Sequence, residues 1–243
     1  MKGLIIAIQF LTRLPTPRVD ATGAQFAASM RWFPAVGLIV GAIVAGGGWA
    51  GARIDPWTGA LAALLLWVGI TGALHLDGLG DVADAGGAAH KLKADPERLR
   101  AVLADPHVGS FGVTAIALQI AAKLVLLHAL IAAQAYAVIA LCAFAARIGP
   151  LFWSRWLPDL HAGLGARFRG AVRPVDLGLW GLALAGAAAF ASPSLVLLPL
   201  ILLGWSRWLR RTLGGISGDG HGAGIEICES LLLLFALLWI HIA

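Results

Sequence analysis

The sequence predicts an all-α fold: a polytopic membrane bundle of about 6–7 transmembrane helices, with a short interfacial or re-entrant helix at the N-terminus. Three observations predict it. Of the 243 residues, 59% are hydrophobic and only 13% are charged, whereas a soluble domain carries about a quarter charged residues. Several apolar runs approach the roughly 20 residues that cross a bilayer. The basic residues gather on alternate connections between those runs, as in a multi-pass protein.

The elements follow in order from the apolar runs and the Gly, Pro and charged residues that bound them. Residues 3–11 form an apolar stretch too short to cross, hence the interfacial or re-entrant helix. Spans are expected near 34–52, 57–76, 109–133, 135–153, 175–191, 194–209 and 224–242, the last two short enough to be tilted, partial or extended into the loops. Gly and Ala are abundant in these runs and let helices approach closely where lipid provides little hydrophobic drive between them. Arginine and prolines after residue 11 stand where a cleavage site of small residues would be needed, so no cleavable signal peptide is expected. No internal repeat, low-complexity tail or soluble second domain is visible, and 1–243 reads as a single membrane-embedded catalytic domain. Cys142 and Cys228 lie in apolar surroundings and read as small buried hydrophobes.

The net charge of +5 reports orientation. Lys2, Arg13, Arg18 and Arg31 precede the first span, and Lys91, Lys93, Arg98 and Arg100 follow the second. Arg155, Arg167, Arg169 and Arg173 follow the fourth, and Arg207, Arg210 and Arg211 follow the sixth. These are fifteen of the eighteen basic residues on one side, against Arg53 on the other. The positive-inside rule places the first group in the cytoplasm, and the basic balance needs no nucleic acid to explain it. Lys123 and Arg147 fall inside predicted spans, where charge is costly and marks a candidate functional site. Arg147 is close enough to a span end to snorkel; Lys123 is deeper and calls for a partner within the bundle.

The chemistry concentrates in "HLDGLGDVADAGGAAH", residues 75–90, directly after an apolar run. If the second span continues through it, Asp77, Asp81 and Asp84 stand at i, i+4 and i+7, within an arc of about 60°. Like charges so stacked repel, and a hard divalent cation relieves them; Mg²⁺ characteristically takes one or two carboxylates, water and substrate phosphates. Gly78, Gly80, Gly86 and Gly87 leave the neighbouring backbone bare for a bulky phosphorylated substrate. The competing reading is a solvated acidic loop beginning after the span; the stacking and the glycines favour the metal-binding face. His75 lies about 160° from the aspartate face on a continuous helix, which suits orienting substrate or an interfacial hydrogen bond better than sharing the ion.

A second acidic stretch, "GGISGDGHGAGIEICESLLLL", carries Asp219 and Glu226 seven residues apart, with Glu229 further around. Span parity puts it on the same side as the first, and two acidic patches with arginines between them suit metal-assisted chemistry on a phosphate. His221 reads as a surface loop residue. Asp105 and His107 precede the third span, where helix entry explains them and the helix N-terminus can also take an anion. "HExxH", the P-loop and "GxSxG" are absent. The ten tryptophans sit mostly near span ends, as an interfacial belt would.

"HLDGLGDVADAGG" closely resembles the signature of the cobalamin (cobamide) synthase family, the adenosylcobinamide-GDP ribazoletransferases. So do "FLTRLPTP", "RWFPAVGLIVG", "DPHVGSFGV", "GLGARF" at 163–168 and "GGISGDGHGAGIEICE" at 214–229, in the family's order along much of the chain. The resemblance implies a multi-pass enzyme of the bacterial inner membrane with its site facing the cytoplasm. It implies a Mg²⁺-dependent reaction: adenosylcobinamide-GDP and alpha-ribazole, or its 5′-phosphate, become adenosylcobalamin, or its 5′-phosphate, and GMP. By motif, Asp77, Asp81 and Asp84 are the metal-binding and catalytic aspartates, and Asp219 and Glu226 the matching acids of the late block. With His75, Gly78, Arg13, Lys123 and Arg147, the last two acids make the expected substrate-binding set, the three basic residues for phosphates. Which aspartate is ligand and which is base stays open, as does whether the chain forms a homo-oligomer or meets other enzymes of cobalamin synthesis. Two departures stand out: Leu76 occupies a position where many members have Glu, and His221 one expected to be apolar.

Two rival readings fit the sequence less well. A CDP-alcohol phosphotransferase-like lipid enzyme would show "DGxxAR", but Gly80-Asp81 stands in place of Ala-Arg. An ion-coupled transporter prefers mid-bilayer acids and related halves with discontinuous spans, neither of which is clear here.

Overall fold

Prolines and capping side chains begin several of the helices, and Gly72 in left-handed backbone ends one of them. A computed structural model describes residues 2–92, 107–160, 168 and 170–242, with the side chains of 88–92 left out. Its helices are α1 (Lys2–Leu11), α2 (Gly23–Ser29), α3 (Phe33–Gly51), α4 (Pro56–Thr71), α5 (Leu74–Leu92), α6 (Ser110–Ala132), α7 (Tyr136–Ala146), α8 (Ile148–Trp156), α9 (Pro174–Phe190), α10 (Leu198–Thr212) and α11 (Gly218–Ile242). Proline stands in the first turn of α3, α4 and α9, where its missing N–H costs nothing. Asp55 caps α4 by accepting from the Trp57 and Thr58 amides at 2.8 and 3.1 Å. The Thr58 hydroxyl, and then the amide bonds, hold the Asp55 carboxyl below the usual carboxylate range. Thr22 and Gln25 form a reciprocal capping box on α2.

The all-helical expectation holds: among the described residues there is no strand, only an isolated bridge between Asp159 and Ile216. The number of spans is lower than expected. Among the described residues, four stretches are long and apolar enough to cross a bilayer: Gly23–Gly51, Ser110–Ala132, Tyr136–Trp156 and Gly218–Ile242. A fifth arises if α4 and the first part of α5, which meet at 83°, count as one broken span. The difference from six or seven lies in α9 and α10. The first has 17 residues, about 26 Å of helix against about 30 Å of hydrocarbon. The second buries Leu198, Ile201, Leu202, Trp205 and Leu209 on one face and ends in Arg210 and Arg211. An amphipathic helix of that kind covers the bundle instead of spanning lipid on all sides.

Small residues set the helix packing. A Cβ at Gly37 would lie 2.5 Å from the Ala143 carbonyl, and one at Gly41 would lie 2.8 Å from Ala140 Cα. The backbones of α3 and α7 therefore touch along a small-xxx-small stripe, the membrane substitute for hydrophobic drive. Leu38, Leu61, Leu65, Leu118 and Leu182 point outward, apolar and exposed, as lipid-facing side chains do. α11 is the central helix and packs against α5, α6, α7, α8 and α10.

Two breaks position the functional residues. Between α4 and α5, Gly72 and Ala73 both adopt left-handed backbone, with φ of 60° and 59°, and the chain turns by 83°. The expected single helix through residue 84 is thus two helices, and the aspartates ride on the second. Between α7 and α8 the Arg147 amide bonds to Phe144 O, three residues back. That leaves the Ala143 carbonyl to the Arg147 guanidinium, which donates to it at 3.1 Å. Pro150, in the first turn of α8, has no N–H to give back to Ala146, which is why the ladder tightens there.

Candidate functional site

Side chains of α5 and α11 meet because glycine removes what would separate them. A Cβ on Gly78 would lie 2.9 Å from both Cα and O of Asp219, and one on Gly222 would lie 3.3 Å from His75 Cα. Gly78 is therefore a packing contact in the site, and it seats the "HLDGLGD" helix directly on the "SGDGHG" turn. Asp77 is exposed, and Asp81 and Asp219 are partly buried. The charges acting on Asp81 are those of Asp219, Asp77 and Asp84, strongest first. Both acidic motifs thus share one end of the bundle, and their nearest carboxylates repel across the α5–α11 seam.

Asp84 has a different environment. Its carboxylate accepts from the Gly109 amide at 2.7 Å and the Gly112 amide at 2.9 Å. These are the N-cap and first-turn amides of α6, which has no side-chain cap of its own. The anion foreseen for that helix terminus is supplied from within, by Asp84. A Cβ on Gly109 or Gly112 would collide with the carboxylate, so "HVGSFG" is shaped to receive it. Asp105 lies outside the described residues, as do Lys93, Arg98, Arg100, Arg167 and Arg169.

Arg13 lies at the rim. Its amide donates to Ile70 O at 2.7 Å. Its exposed side chain covers Gly72, where a Cβ would come within 3.1 Å of Arg13 Cγ. The α4–α5 bend thus carries a guanidinium beside the start of the aspartate helix.

Lys123, Arg147 and Glu226 form a second group, deeper in the bundle. Glu226 sits seven residues along α11 from Asp219, about 10 Å at 1.5 Å per residue. Lys123 Nζ pairs with Glu226 at 2.7 Å and with Glu229, while Arg147 pairs with Glu229. Trp67 Nε1 donates to Glu229 at 3.2 Å, and Gln119 Nε2 donates to Glu226 Oε2 at 2.8 Å. Lys123 also lies 4.5 Å from the Trp67 ring centroid. Arg147 is 1% exposed, so it does not snorkel, and Lys123 has the partners within the bundle that its depth demanded. Glu229, unassigned from the sequence, is the hub; its apolar flanks gave no signal beyond the cost of an acid in a span.

His75 and His221 are buried, at 2% and 6% exposure. His221 is therefore not the surface residue expected; Gly220 and Gly222 beside it let α11 pack tightly there. Both histidines line a cavity with Phe10, Phe33, Phe168, Asp77 and Asp219. The three phenylalanines come from three blocks far apart in the chain, which is why no local pattern pointed to them.

The arrangement suits the divalent cation that the motifs imply. Its donors are all hard oxygens, crowded enough to repel and partly open to solvent. Among the described residues no three His, Cys, Asp or Glu side chains converge to enclose an ion on their own. An ion that takes one or two carboxylates and completes its shell with water and phosphate matches such an open set.

The profile of the family described as cobalamin-5-phosphate synthase matches residues 3–237. The chain belongs to that family. Three relatives are each called adenosylcobinamide-GDP ribazoletransferase. That of Novosphingobium aromaticivorans is 62% identical over 99% of both chains. That of Laribacter hongkongensis is 50% identical over 98% of this chain and 97% of its own. That of Thiobacillus denitrificans is 48% identical over 97% and 95% respectively. No solved structure matches. Membership makes the chain an enzyme, a transferase of cobalamin biosynthesis carried on membrane helices.

Proposed function

We propose that this enzyme joins adenosylcobinamide-GDP to alpha-ribazole, or to its 5′-phosphate, with release of GMP, at the cytoplasmic face of the inner membrane. The observation that carries the reading is the Gly78–Asp219 contact, which unites two acidic motifs far apart in the chain at one end of the bundle. One or two of Asp77, Asp81 and Asp219 would hold Mg²⁺, which would neutralise charge on the pyrophosphate and on departing GMP. A ribose hydroxyl of ribazole forms the new bond to the phosphorus that carries cobinamide. The bond from that phosphorus to the GMP oxygen breaks, and the hydroxyl proton passes to a carboxylate of the group. Asp84 acts by holding the α6 terminus against α5. Arg13, exposed at the bend, meets the phosphates of the nucleotide. Lys123 and Arg147 already face Glu226 and Glu229, so we assign these four to holding α6, α7 and α11 in register.

The test is an assay of purified protein in liposomes supplied with both substrates and Mg²⁺, following cobamide and GMP. Asp77→Asn, Asp81→Asn and Asp219→Asn should each lower turnover by about a hundredfold or more, and excess chelator should stop it. Full activity in all three variants, or in chelator, would sink the metal site. Formation of phosphatidyl lipids with no cobamide would replace the reaction itself.

A further inference from the structure

The cavity beside the aspartates has the wrong chemistry for a phosphate and the right chemistry for an aromatic ring. Its volume is about 140 Å³, close to the roughly 150 Å³ of an engineered cavity that takes up benzene. Its walls include Phe10, Phe33 and Phe168. Phe10 and Phe33 stack at 5.9 Å, and Phe168 meets Phe33 edge-on at 5.7 Å. Into this apolar space project His75 and His221. Among the described residues both ring nitrogens of each histidine lack a hydrogen-bond partner, a costly state for a buried polar group. Asp77 and Asp219 also line the cavity, and Asp77 is exposed while the phenylalanines behind it are not. The acids therefore form the mouth.

We infer that this cavity binds the base of the ribazole substrate, a benzimidazole, against the wall of phenylalanine rings, with His75 and His221 facing its ring nitrogen. The inference rests on the ribazole reading above and says where that substrate sits. An N-glycosylated benzimidazole is apolar over both faces and most of its edge and keeps one unsubstituted ring nitrogen, an acceptor for an imidazole N–H. Guanine carries donors and acceptors around its edge and would leave most of them unmet here. A base in this position delivers its ribose to Asp77 and Asp219, where the new bond must form. The corrinoid, far larger than the cavity, stays outside.

Equilibrium dialysis of alpha-ribazole against the full chain in nanodiscs, with no corrinoid nucleotide present, tests this without turnover. His221→Phe should weaken ribazole binding about tenfold, the value of one buried hydrogen bond at the upper end of its usual range. Phe168→Leu should weaken it about fivefold through lost ring packing. In the liposome assay KM for ribazole should rise in parallel, while KM for adenosylcobinamide-GDP stays at the wild-type value. Guanosine in excess should not displace ribazole. Displacement by guanosine, or wild-type affinity in both variants, overturns the inference. So does a KM for ribazole that neither substitution moves in an enzyme that makes cobamide. A protein that binds ribazole as described but makes no cobamide keeps the inference and sinks the reaction.

Discussion

Asp84 and Glu229 show how an acidic residue in an oily chain is defined by what it faces. Asp84 faces two amides of α6 and becomes a cap supplied by another helix. Asp84→Ala should cost about 1 kcal/mol of stability and loosen the site. Asp84→Asn, which keeps an acceptor oxygen, should retain most of the stability. Thermal unfolding in detergent beside the liposome assay separates the two, and equal melting of Asp84→Ala and wild type would remove the cap from the argument. Glu229 faces Lys123, Arg147 and Trp67 at 0% exposure. Glu229→Gln leaves buried cations short of a counter-charge and should destabilise by about 3–5 kcal/mol. Denaturant unfolding checks this, and a change below about 1 kcal/mol would contradict it. The sequence marked Lys123 and Arg147 as costly; their partner was not legible, because an acid one turn beyond another acid on α11 looks the same whether it meets lysine or substrate.

At the scale of elements, glycine decides where helices touch. The small-xxx-small stripe of α3 was legible as composition, but its partner, α7, was not, since glycine is equally permissive toward any neighbour. The same holds for Gly78. Gly78→Ala should push α5 from Asp219, lowering turnover by at least about tenfold while costing only about 1–3 kcal/mol of stability, the usual range for overpacking. Activity and melting measured on one preparation check the split; unchanged turnover would mean that the α5–α11 seam is not the reaction site. The bend before α5 also escaped local reading. Gly72 is a legible helix terminator, but Ala73 has no intrinsic preference for positive φ. The turn is held by tertiary contact, with Arg13 bonded to Ile70 across it.

At the scale of the whole molecule, the bias of basic residues predicts that the aspartate end faces the cytoplasm. Single cysteines test it on a silent background, because Cys142 and Cys228 are both buried. Cysteine at Ile54 should react with an impermeant maleimide from the periplasmic side only, and cysteine at Gly218 from the cytoplasmic side only. The reverse pattern would invert the topology. The bundle also explains the histidines. His75 and His221 sit on α5 and α11, and only the packing of one helix on the other brings both to one cavity.

Sequence alone established that this protein is a helical membrane enzyme and where most of its helices begin and end, and it singled out the acidic motifs proposed to carry its chemistry. Those properties are local: hydropathy is a sum over neighbouring residues, caps and prolines act within a turn, and a motif needs only its own spacing. The tertiary structure alone decided that α9 and α10 fall short of the expected spans and that Asp84 serves a helix terminus. It also decided that Glu226 lies with Lys123 instead of with Asp219, and that three distant phenylalanines wall one cavity beside the aspartates. Each of these depends on which helix lies against which, and in lipid that choice rests on close packing of small residues and on pairing of buried charge, neither of which a single stretch of chain contains.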